Sequence, residues 1–217
     1  MTHSVVAKLI AKDLYFNRWF IVIGTFAGLV SMLLTGVNQI VANIMFVTII
    51  VVCGIFMGIV SVTRERMDKS SLFVLSLPIS TLQYTAAKVL AASISFLTLW
   101  IVLFVAGLLL MQLDPAPSAG VPTYVGLMTL LLTNFFVLLA VGVITSSELW
   151  VAAAIILTNA TIPLFLGSSN PPNAENLDAP AAQWSSTLLA AFTAEAAIIL
   201  LCLGLIFYIQ SNRKDFV

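Results

Sequence analysis

Apolar residues gather into six long runs, at about 19–36, 42–62, 86–111, 123–145, 149–166 and 186–209, and polar residues collect between them. A helix needs about 20 mainly apolar residues to cross a hydrocarbon layer, so each run is long enough to span, the fifth only just. Ahead of the first run the pattern changes. Val5, Val6, Leu9, Ile10 and Leu14 recur at helical spacing while Lys8 and Lys12 sit one turn apart, which predicts an amphipathic helix lying at the membrane surface. Lys8, Lys12, Asp13 and Arg18 interrupt the first 18 residues and no small-residue cleavage pattern follows, so the first run is expected to stay as a span. The fold class expected is an all-α membrane protein, a single domain over 1–217 with six transmembrane helices.

Composition agrees. The chain is 61% hydrophobic and 8% charged, with mean hydropathy +1.12, where a soluble domain has roughly a quarter of its residues charged. Six spans use roughly 120 residues, which leaves short connections and no room for a nucleotide-binding domain. The net charge is zero, so nothing points to nucleic acid.

The distribution of charge matters more than its total. Lys8, Lys12 and Arg18 precede the first span; Arg64, Arg66, Lys69 and Lys88 flank the second and third; Arg213 and Lys214 follow the sixth. With six spans all nine basic residues fall on one side, and the positive-inside rule makes that side the cytoplasm, with both termini there. The opposite connections carry Asp114, Glu175 and Asp178 and no Lys or Arg. In a bacterium this places the protein in the inner membrane. Residues 181–186 are expected to form a short outer helix with Trp184 at headgroup depth, and Trp19 and Trp150 to anchor the other face.

Candidate chemistry is sparse. No GxxxxGK[ST] phosphate loop occurs, so the chain does not cradle ATP itself. The single histidine, His3, and the loop acids Asp114, Glu148, Glu175 and Asp178 form no metal or triad pattern, and Cys53 and Cys202 sit apart in apolar runs as packing residues. The chain is therefore not expected to be an enzyme, and no cofactor or metal is expected in it.

The connection after the second span carries the most information: Thr63-Arg64-Glu65-Arg66-Met67-Asp68-Lys69-Ser70-Ser71-Leu72-Phe73-Val74-Leu75-Ser76-Leu77-Pro78-Ile79-Ser80, running on to Lys88. Pro78 cannot continue a preceding helix and turns Leu77 away from helical geometry, while Ser80 or Thr81 can cap the next helix. Leu72, Phe73 and Leu75 then form an apolar knob among Arg64, Arg66, Asp68 and Lys69, suited to a groove on a soluble partner. A short loop with a proline can also be no more than a turn. Glu65 just after a span, a short amphipathic helix about Ser70 to Leu75, Leu77-Pro78, Ser80-Thr81 and Lys88 opening the third span together resemble the ABC-2 type exporter permeases. The six spans and the length of the chain fit that family as well. The resemblance implies a coupling helix that docks on an ATPase through Glu65, Arg66, Leu72, Phe73, Leu77, Pro78 and Lys88. It implies two ABC ATP-binding subunits carrying ATP and Mg, a second permease subunit, identical or similar, and a hydrophobic or amphipathic cargo such as a peptide, lipid or drug. The haem-exporter type permease of cytochrome c maturation shares the architecture, although no residue here offers itself as a haem ligand. An ATP-independent channel or scaffold is the alternative from another class.

Within the spans, Glu195 stands out, because an ionised carboxylate there costs about 2.5–3.5 kcal/mol on insertion scales. It faces either a translocation path or a neighbouring helix. Asn159, Thr161 and Pro163 put an amide, a hydroxyl and a helix breaker together in the fifth span, where a kink is expected, and Asn159, Thr161 and Glu195 are the candidates for a translocation path. Gly24 and Gly28, and Gly54 and Gly58, form two small-xxx-small pairs of the kind that permit close helix packing.

Overall fold

The computed structural model describes residues 2–60, 80–112, 120–145, 147–168, 184 and 186–212, and among these the structure is helical with no strand. Helix α1 covers Thr2–Leu33 and ends in a 3-10 turn, Leu34–Gly36. Helix α2, Gln39–Ile55, passes into a π-helical turn at Phe56–Val60. Then come α3, Thr81–Gln112; α4, Val121–Ile144; α5, Glu148–Ser168; and α6, Ser186–Asn212. Six of these helices are long and apolar enough to cross a membrane.

The sequence sets three helix starts by visible chemistry. Asn38 caps α2 by accepting from the Val41 N–H at 3.2 Å. Ser80 opens α3 with a capping box: its hydroxyl accepts from the Gln83 N–H at 3.2 Å, and the Gln83 side chain accepts in return from the Ser80 N–H at 3.2 Å. Pro122 sits in the first turn of α4, where its missing N–H costs nothing.

The amphipathic N-terminal segment does not form a separate surface helix. It continues into the first span as one helix, and its first 18 residues contain neither glycine nor proline to break it. What holds this polar lead-in against the bundle is a buried face carrying Asp13 and Asn17, only 5% and 2% exposed. The anticipated short helix at 181–186 lies outside the described residues except for Trp184 and the first residue of α6.

Helix α4 is the centre of the bundle. Its most apolar stretch is 61% buried, against 11% for α5 and 17% for α6, which lie on its flanks with most of their surface outward. Helix α1 packs along α3, and α2 closes against both α3 and α4. The core is aromatic and branched: Phe96 and Phe135 stack at 4.1 Å between ring centroids, with Ile50, Met57, Leu99, Leu103, Met128 and Leu139 around them.

Lipid gives no hydrophobic force to press helices together, so close approach depends on small residues. An added Cβ at Gly24 would fall 2.6 Å from the Cys53 sulfur and 2.7 Å from Leu99, and one at Gly28 would meet Leu103 at 2.7 Å. At Gly54 it would meet the Phe96 ring at 3.2 Å, and at Gly58 the Phe135 ring at 3.5 Å. Both glycine pairs are thus spent on packing within the chain. Gly107 makes room in the same way for Tyr124, whose hydroxyl donates to the Leu103 carbonyl at 2.9 Å.

Candidate functional site

Among the described residues, three polar clusters stand out in this apolar bundle. The first lies between α1 and α3. Lys88 Nζ donates to Asp13 Oδ2 at 2.7 Å, with the side chains 4% and 7% exposed. The Tyr84 ring lies 5.8 Å from the ammonium. Further along the same seam Asn17 donates to the Ser95 hydroxyl at 3.3 Å, and Ser95 donates to the Ala91 carbonyl at 2.8 Å. Both charges of the pair are compensated where neither could be hydrated.

A second cluster joins α4 to α5. The Asn134 amide nitrogen lies 3.0 Å from both the Thr158 carbonyl and the Thr161 hydroxyl, and donates to each. Thr161 also donates to the Thr158 carbonyl at 2.7 Å. Pro163 follows inside α5 and supplies no N–H to the Asn159 carbonyl one turn earlier, so the helix is weakest where Asn134 grips it. Asn159 turns its own amide back to the Ile155 carbonyl at 2.8 Å. Beside these groups a cavity of about 20 Å³ is lined by Gly54, Phe96, Asn134, Phe135, Thr158 and Asn159, among others. That is space for roughly one water molecule, not for a cargo.

The third cluster is on the other flank of α4. Glu195 of α6 meets the Thr129 side chain, and its Oε2 is buried with no hydrogen-bond partner among the described residues. Thr129 lies about one and a half turns from Asn134 along α4. Near the far end of the same pair of helices, Gln210 donates to the Val143 carbonyl at 3.4 Å.

Residues 8–213 match the family described as ABC-2 family transporter protein. The chain belongs to that family. It is a multi-pass membrane protein and a membrane component of an ABC transporter, not itself an enzyme. No curated protein and no solved structure matches it.

Against this ABC-2 framework the residues singled out in the sequence divide clearly. Glu65, Arg66, Leu72, Phe73, Leu77 and Pro78 lie outside the described residues. Lys88 is described and is buried in the pair with Asp13, so its ammonium faces α1 instead of opening onto the surface. Thr161 and Asn159 both lie near Asn134, the first bonded to it and the second lining the same cavity. Glu195 does not join them, because it contacts the α6 side of α4. Trp19, Trp150 and Trp184 are exposed, as membrane-interface anchors would be.

Sequence reasoning overlooked Asp13 and Asn17. The signal was there: Asp13, Asn17, Gly24, Gly28 and Ser31 fall at helical intervals on one face, and all five are buried. A stripe of polar and small residues on a membrane helix marks the side that meets another helix.

Proposed function

We propose that this chain is the path-forming permease of an ATP-driven exporter in a bacterial inner membrane, with both termini in the cytoplasm. Two copies, or this chain and a similar one, form the path between them, and two ATP-binding subunits carrying ATP and Mg dock on the 64–88 connection. Closure of those subunits rocks the helices and opens the path.

The observation that carries the reading is the match of residues 8–213 to the ABC-2 transporter family. Among the described residues the cavity beside Asn134, about 20 Å³, has room for roughly one water molecule, so we place the path between two subunits and not there. The outward-facing surfaces of α5 and α6, with residues such as Ile156, Leu157, Leu200 and Leu201, suit a hydrophobic or amphipathic cargo moving along them. Glu65, Arg66, Leu72, Phe73, Leu77 and Pro78 are the docking residues in this reading, and Lys88 supports them from within α3.

The test is co-purification of the tagged chain with its ATPase from membranes, compared with a Leu72→Asp, Phe73→Asp variant. Loss of the ATPase from a correctly inserted variant supports the docking site. Undiminished association overturns it.

A further inference from the structure

We propose that Asp13 is a positioning residue whose ion pair with Lys88 locks α1 to α3, so that the two helices move as one body during the transport cycle. The locking follows from geometry; the link to a transport cycle rests on the function proposed above.

The pair is unusual in its setting. Both side chains are more than nine-tenths buried, and the Nζ to Oδ2 distance is 2.7 Å. A buried ion pair gives little net stability compared with apolar packing, because desolvation of both charges offsets their attraction. Its effect is on register. Gly24 against Leu99 and Gly28 against Leu103 bring the two helices close, but apolar contacts are non-directional, whereas the ion pair joins one point on α1 to one point on α3. Sliding by one helical turn, about 5.4 Å, would separate the two charges inside the protein. The Asn17–Ser95 hydrogen bond reinforces the same alignment further along the seam.

Position decides what the lock transmits. Lys88 is seven residues into α3, roughly 10 Å by helical rise from Thr81. Helix α3 is the element that leaves the 64–88 connection, so a displacement delivered at its start passes to α1 through the pair. Lys88 thus acts on coupling from inside the bundle, through Asp13, without touching a soluble subunit.

The test uses the full chain in liposomes, with Cys53→Ala and Cys202→Ala removing the native thiols. Spin labels are placed at Ala11→Cys on α1 and Val105→Cys on α3, both exposed positions, and their separation is read by pulsed electron resonance. The expected result is one narrow distance in the parent and at least a two-fold broader distribution in Asp13→Asn. The exchange Asp13→Lys, Lys88→Asp restores the narrow peak. Should Asp13→Asn fail to insert, the apolar pair Asp13→Leu, Lys88→Met replaces it and is expected to broaden the distribution likewise. In the complex with its ATPase, the parent distance stays the same between the nucleotide-free and the ATP-vanadate states. A distribution that stays narrow in folded variants overturns the lock, and a parent distance that shifts with nucleotide overturns the single-body movement. If no ATPase accompanies the chain, the proposed function fails, while the arms without nucleotide still decide the lock.

Discussion

The Asn134 side chain on α4 donates to the Thr158 carbonyl on α5 at 3.0 Å, one turn before the place where Pro163 interrupts the α5 hydrogen-bond ladder. The lightly buried helix α5 is therefore held to the centre of the bundle by a polar grip set beside its own weakest point.

Asn134→Leu removes that grip and leaves the Thr161 hydroxyl with its bond to Thr158 alone. Interhelical hydrogen bonds in membranes average about 0.6 kcal/mol and reach about 1.7. Two such bonds predict a loss of roughly 1–2 kcal/mol, measured by steric trapping or mild denaturant unfolding in bicelles. Amide exchange should rise in α5 more than in α3. Equal exchange in both helices would contradict the grip.

Lys88→Met alone leaves the Asp13 carboxylate buried without its cation and should cost about 3–5 kcal/mol. Combining it with Asp13→Leu should recover most of that loss, since apolar replacement of a whole buried pair is often neutral. Thermal unfolding of the two variants measures the difference. The double variant is expected to be the more stable even though it loses the register lock.

The glycines separate by what stands opposite them. Gly28→Ile drives a side chain into Leu103 and should destabilise by about 1–3 kcal/mol. Gly204, with nothing within 4 Å of an added Cβ, should accept alanine and gain up to about 1 kcal/mol in helix stability. Parallel thermal unfolding of both variants checks the contrast.

Glu195→Leu removes a buried oxygen that has no partner among the described residues, and is expected to raise stability by about 1 kcal/mol. If Glu195 serves the path, export falls in the same variant while stability rises. Unchanged export together with higher stability would identify the residue as a packing compromise.

The spans were legible because a bilayer imposes one strong requirement on sequence: long apolar runs that satisfy their own backbone. The runs at 86–111 and 123–145 match α3 and α4 closely, and the cap at Ser80 was readable from a hydroxyl following Leu77-Pro78. The glycine pairs announced close packing, although their partners did not. Much less of the candidate site was legible. Asp13 stood out only as one of the charges that interrupt the first 18 residues, and Lys88 as the lysine that opens the third span. Their distance along the chain, 75 residues, hid the fact that they meet.

The sequence by itself determined that this is a multi-pass membrane protein with six long apolar runs, and its one-sided basic residues motivate the orientation we propose for it. Tertiary structure alone decided which polar residues face one another. Hydropathy and charge are properties of single positions weighed against a solvent, and they can be summed along a chain. A partner is a property of two helices packed in one register, which no single position carries. That is why the pairing of Lys88 with Asp13 could not be read from either position alone.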